Sequence, residues 1–202
     1  MAIDMNPNME ARSLSDDLEE GRPARFSFLG EPRSLVLLAA LTLLSGAAML
    51  PAMAAMTDHG ASVVAFESAG GVERSQEILA EWGDAGKTAA WWQLVIDTPF
   101  LVGYGLLLAG ACLAVARRAE RIGSIGLRRM ATRVAWLGPI AAGADLIQNF
   151  ALALILAGHE TQPWPRVAAV CGGITLSLMA IGAVFVAVGV LRTRASASPG
   201  RR

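Results

Sequence analysis

Two carboxylates stand where carboxylates are costly. Asp97 and Asp145 interrupt long apolar runs, and a carboxylate at the centre of a membrane helix costs about 2.5–3.5 kcal/mol on insertion scales. Such a group faces a bundle interior with a partner, or it keeps its proton. A buried carboxyl with a raised pKa serves as a general acid or base. Amide and phenol groups near it in the pattern supply orienting hydrogen bonds. Asp97 and Asp145 are therefore the catalytic candidates. The ligand-binding candidates are Gln93, Asp97, Tyr104, Asp145, Gln148 and Asn149.

Spacing collects these residues on two faces. Gln93, Asp97, Leu101 and Tyr104 follow i, i+4, i+8, i+11, and Asp145, Gln148, Asn149 and Leu152 follow i, i+3, i+4, i+7. Each set is one side of a helix. Depth pairs them. At a rise of about 1.5 Å per residue, Asp97 and Asn149 lie about 9–12 Å from the outer ends of their helices, and Tyr104 and Asp145 about 18–20 Å. Asp97 is expected to meet Gln148 or Asn149, and Asp145 to meet Tyr104. Two outcomes compete: a polar cavity in the outer half of the membrane, or a hydrogen-bonded clamp between helices. Pro99 frees the Val95 carbonyl and predicts a kink, Pro139 does the same for Ala135, and Gly103 and Gly105 beside Tyr104 permit close approach.

The elements that position these faces follow from composition. Of 202 residues, 54% are hydrophobic and 17% charged, with 17 basic and 17 acidic side chains. A soluble domain carries about a quarter charged residues, so an ordinary cytosolic globular protein is excluded. A hydrocarbon core of about 30 Å needs about 20 apolar residues, and four segments qualify: about 34–56, 91–116, 134–157 and 167–191. The first and last contain unbroken uncharged runs of 24 and 25 residues (34–57 and 167–191). The runs lack period-2 alternation, so the expected fold is all-α, a polytopic membrane protein with a four-transmembrane-helix bundle rather than a barrel.

Arginines set the expected orientation. Fourteen of the 17 basic residues fall in the N-terminal stretch, the loop between spans 2 and 3, and the C-terminal tail. Translocation of such residues is disfavoured, which places both termini in the cytoplasm. The expected organisation is a disordered cytoplasmic tail over 1–33, a transmembrane domain over 34–191 with an outward loop at 57–90, and a cytoplasmic tail over 192–202. Only one basic residue is Lys, a bias that suggests a GC-rich bacterial genome and hence the inner membrane of a bacterium. The polar N-terminal stretch lacks the short basic region of a signal peptide, so span 1 is expected to stay as an anchor. In the outward loop, residues 72–82 read as a helix begun after Gly70-Gly71 and ended by Gly83, either a lid over the bundle or a plain connector. Trp91 and Trp92 suit the interfacial aromatic belt.

Other chemistries find little support. Cys112 and Cys171 are expected about 20 Å apart in depth, too far for a disulfide, and there is no C-x-x-C, which disfavours a quinone-linked thiol oxidoreductase. His59 and His159 lack a ligating spacing, so no metal is expected. Haem would need an axial ligand within the bundle, and no cofactor motif occurs. Gly123 to Gly126 reads as a turn in the basic loop, whose arginines suit topology and anionic lipid headgroups. Bulk charge gives no nucleic-acid footprint.

Trp92-x-Leu94-x2-Asp97-x2-Phe100-x3-Tyr104, followed by Asp145-x2-Gln148-Asn149, resembles a group of bacterial four-helix integral membrane proteins to which no activity attaches. The resemblance covers spans 2 and 3 and the outward loop. It implies Glu where this chain has Gln148, so one charge of a three-carboxylate arrangement is missing at that position. More loosely, acids and an aromatic inside a small helical bundle resemble the architecture of sterol-isomerase-type membrane proteins. Three functions compete: binding or acting on a lipophilic small molecule, a non-catalytic assembly role with another membrane protein, and proton-coupled transport by a homodimer. Membrane lipid is the expected surroundings in each.

Overall fold

The computed structural model describes residues 28–159 and 161–196. Every regular element among them is helical: a 3-10 turn at 28–30, then α1 (Pro32–Asp58), α2 (Val63–Glu67), α3 (Val72–Arg121), α4 (Ile125–Val134), α5 (Leu137–Leu156) and α6 (Trp164–Ser196). Four stretches are long and apolar enough to cross a membrane: α1, α3, α4 with α5, and α6. This is the all-helical, four-span architecture expected from the runs.

The long α3 is the central post. In its most apolar window 56% of the residues are buried, against 11% in α1 and 17% in α6. α1 packs along α3, α5 packs on α3 and α6, and α6 also reaches α3. α1 and α6 share no packed interface. The bundle is therefore open along one side, between its first and last spans.

Several boundaries differ from those expected. α1 begins on Pro32, whose missing N–H suits the first helical turn, and it runs on to Asp58. The 57–90 segment is mostly helical. Gly83 takes φ +54°, ψ −158° and divides α3 into the outer helix and the spanning helix. The end predicted at Gly83 is where the break lies, and the spanning helix starts outward of residue 91. Pro99 leaves no non-helical residue in the backbone around it.

Pro139 is not an interior proline. The third span is interrupted at Ala135–Trp136, and α5 starts at Leu137. Pro139 lies in the first turn, where a helix leaves its N–H groups unpaired anyway. Gly126 belongs to α4, so the turn is confined to residues 122–124. α4 is amphipathic, and its Arg128 pairs with Glu120 at 3.2 Å.

The described residues overlap both predicted tails. The proposed disordered tail 1–33 falls mainly outside the described residues, but 28–33 is ordered: Leu29 is buried, and the backbone there lies so close to Gly110 that a Cβ on Gly110 would collide with the Leu29 carbonyl. At the other end α6 continues to Ser196, and 197–202 lies outside the described residues.

The outer segment closes one end of the bundle. Trp82 donates from its indole N–H to the Ala61 carbonyl at 2.6 Å and packs its ring on Phe66 at 4.9 Å between centroids. Met56, Phe66, Ile78, Leu79, Trp82, Leu152 and Ile155 form one buried cluster. Fully burying such side chains contributes about 1.5–3 kcal/mol each, so the segment is firmly packed on the helix ends as a cap.

Candidate functional site

Close backbone approach brings the two polar faces together. A Cβ on Gly105 would lie 2.8 Å from the Ala142 Cβ, and one on Gly138 would collide with the Gly105 carbonyl oxygen. With α3 and α5 this near, Tyr104 donates its hydroxyl to Asp145 Oδ2 at 2.7 Å. One level outward, Asn149 Nδ2 donates to Asp97 Oδ2 at 2.5 Å. These are the pairings that depth and facing imply. Phe100 holds the Tyr104 ring edge-on at 5.4 Å, and Thr175 of α6 donates to the Ala141 carbonyl at 3.2 Å.

Gln148 takes a different partner. It is buried, but its amide rests against Gly172 of α6, where a Cβ would meet Oε1 at 2.8 Å. Only glycine leaves room for that amide. Gln93, on the polar face of α3, is 5% exposed, and its Oε1 has no hydrogen-bond partner.

These side chains border a large cavity of about 930 Å³ on the open side of the bundle. Asp97, Asp145, Gln93, Gln148 and Tyr104 all reach it, so all the sequence candidates except Asn149 line it. Asn149 stands behind, at a void of about 10 Å³ that Glu67, Gln93 and Asp97 also border. That is about the size of one water. The large cavity continues past Leu107 and Ala111 on α3 and Ala183 and Val186 on α6. From Gln93 to Ala111 it follows α3 for about 27 Å, so it extends beyond the outer half expected. None of its lining residues is Lys, Arg or His.

The structure adds one carboxylate that motif reasoning passed over. Glu67 ends α2 in the cap and reaches both voids. Its carboxyl is pushed up from the ordinary 4.5 to about 7, first by burial and then by the negative charges of Asp97 and Asp145. A signal was present in the sequence. Ser62 caps α2 by accepting from the Ala65 N–H at 3.3 Å, and Val63, Phe66 and Glu67 then share one face at i, i+3, i+4. Val63 and Phe66 are both buried. Glu67 brings a third carboxyl to the cavity wall, from the cap.

Chemically, the site has an acidic end beside the cap and an apolar end away from it. Among the described residues no three His, Cys, Asp or Glu side chains are placed to hold a metal ion. His59 bonds the Ala55 carbonyl through Nδ1 at 2.6 Å. Cys112 is a buried free thiol and Cys171 is half-buried and also free. Comparison of the chain with protein-family models, with curated proteins and with solved structures gives no match.

Proposed function

We propose that this chain is a bacterial inner-membrane protein, with both termini cytoplasmic, that binds or acts on a lipophilic small molecule taken in sideways from the lipid. The observation that carries this reading is the cavity of about 930 Å³, a drug-ligand size, open where α1 and α6 do not pack. Its polar end gives the ligand an orientation, and its apolar end accepts a hydrocarbon part. In an enzymatic version, Asp97 or Asp145 exchanges a proton with the ligand while Tyr104 and Asn149 hold the carboxyl groups in place. The orientation rests on the fourteen cytoplasm-assigned arginines.

Native mass spectrometry of the full chain purified from its membranes tests the reading. A retained small molecule is expected in the wild type. Ala183→Trp, which puts an indole into the cavity from α6, is expected to abolish retention without changing the unfolding midpoint. A wild-type protein that retains nothing, under conditions where the bundle stays folded, sinks the proposal.

A second reading, a non-catalytic assembly role with another membrane protein or a second copy, is favoured by the two hydrogen bonds that fasten Asp97 and Asp145. It predicts that Asp97→Asn and Asp145→Asn lower recovery of a complex rather than ligand retention.

A further inference from the structure

The polar end of the cavity is one-sided in its hydrogen bonding. The Tyr104 hydroxyl is spent on Asp145, and the Thr175 hydroxyl on a backbone carbonyl. Thr42, also on the wall, spends its hydroxyl on the Leu38 carbonyl at 2.8 Å. Just behind the wall, the Asn149 amide is spent on Asp97. What remains are chiefly acceptors: the carboxylates of Glu67, Asp97 and Asp145, each with about four lone-pair sites, and the Gln93 Oε1, against the neutral amide NH2 groups of Gln93 and Gln148. That oxygen is decisive. It belongs to a side chain 5% exposed, it has no partner among the described residues, and its residue lines the same cavity. A buried acceptor without a donor costs about as much as a lost hydrogen bond, and here it stands beside three acids and no base.

A ligand suited to this end brings donors and positive charge. An ammonium has three donors and no acceptor. A fatty acid or a phosphate ester would set an anion against three carboxylates, and a neutral alcohol offers a single donor. A bare divalent cation is disfavoured by placement, since no three acidic side chains converge on one point among the described residues. The rest of the cavity describes the remainder of the ligand. Its walls inward of Tyr104 are Leu107, Leu108, Ala111, Ala183 and Val186, and its reach of about 27 Å along α3 suits an extended chain lying along the bilayer normal.

We propose that the cavity receives a single-chain amphiphilic amine, its ammonium held at the acidic end that Glu67, Gln93, Asp97 and Asp145 border. This assignment rests on the ligand-cavity reading above and names its substrate class.

The test uses the full chain in detergent micelles, titrated in turn with hexadecylamine, hexadecanol and hexadecanoate and followed by native mass spectrometry. The three probes share one tail and differ in head. Hexadecylamine is expected to bind with a dissociation constant about tenfold or more below that of hexadecanol, in line with the strength of charge-assisted over neutral hydrogen bonds, and hexadecanoate is expected not to bind. Glu67→Gln and Gln93→Leu are each expected to weaken the amine about tenfold and to leave the alcohol unchanged. Glu67 stands on the short α2 rather than on a spanning helix, Gln matches its size, and an unfolding midpoint measured beside the titration checks that the variant is folded. Equal binding of amine and alcohol overturns the amine assignment while the ligand cavity stands. Retention of none of the three probes overturns both. A loss of amine and alcohol alike in Glu67→Gln overturns the seat for the ammonium, because a purely structural change would weaken both heads together.

Discussion

The seam between α3 and α5 and the gap between α1 and α6 are two answers to the same composition. Along the seam, glycine faces glycine and alanine, and polar side chains meet in pairs. Across the gap, Thr42, Gly46 and Met49 of α1 look toward Thr175, Met179 and Ala183 of α6 without meeting them. Lipid tails are as apolar as Leu, so apolar faces alone give spans no reason to close. The seam closes because its small residues come with matched donors and acceptors; across the gap Gly46 and Ala183 are small too, but the Thr42 and Thr175 hydroxyls are spent on backbone carbonyls. The same two aspartates serve both regions. Each gives one oxygen to the seam while lining the cavity, so the clamp and the cavity, posed from sequence as alternatives, coexist at the same residues.

The comparison can be broken most severely at the seam. Gly138→Ala places a methyl against the backbone oxygen of Gly105, where no side chain can yield. The expected cost is about 3 kcal/mol, read as a large fall in the unfolding midpoint and loss of the monodisperse peak in size-exclusion chromatography. A variant as stable as the wild type would show that close backbone contact does not hold the seam.

On the cavity side, the handle is Glu67. Its carboxyl lies near 7 in the folded protein and near 4.5 when ordinarily solvated, so between those values the folded chain holds a proton that the unfolded chain releases. Stability is therefore expected to fall as pH rises from about 4.5 to about 7 and to level off above, by at most about 3 kcal/mol. Glu67→Gln should remove this part of the slope and be the more stable protein at pH 8, with the two equal near pH 4. The groups facing it are Asp97 of α3 and Asp145 of α5, and α1 and α6 bring no ionisable group to the cavity except the half-buried Cys171 nearby. Parallel pH profiles for the two proteins would count against burial of this carboxyl.

Smaller effects sharpen the contrast. A double-mutant cycle of Tyr104→Phe with Asp145→Asn is expected to give a coupling of about 0.6–1.7 kcal/mol, the range of polar contacts between membrane helices. No measurable coupling would make the pair incidental to the seam. Ala183→Trp, on the open side, is expected to change stability by less than about 0.5 kcal/mol while abolishing ligand retention.

How much could be read beforehand divides along the same line. The partners of Asp97 and Asp145 were legible because an unbroken helix converts residue number into depth and facing. Asn149 and Tyr104 fall at the right depths on the right faces, and of the two candidates for Asp97, Gln148 and Asn149, the structure takes Asn149. Glu67 was not legible in that way. It sits on a five-residue helix, whose single turn gives Glu67 a face but no depth, and its position depends on how Trp82 and Phe66 pack. Pro139 marked the interruption at Ala135–Trp136, since it leaves the Ala135 carbonyl four residues earlier without its helical donor. Gln148 was placed on the correct face but one helix away from its true neighbour, since the room for it comes from Gly172 on α6. The width of the gap was not legible at all, because it depends on contacts that α1 and α6 do not make.

The hydrogen bond between Asp97 and Asn149 also sets a schedule for making the protein. The two residues are 52 positions apart, and at about 5–20 residues per second Asp97 leaves the ribosome about 3–10 s before its donor exists. During that interval span 2 holds a carboxylate whose donor has not yet been made, beside an already finished span 1. Spans 2 and 3 are therefore best delivered to the bilayer as one hairpin, joined by the basic turn between them. Lengthening that turn lengthens the wait, and the load falls on whatever machinery shelters the nascent chain.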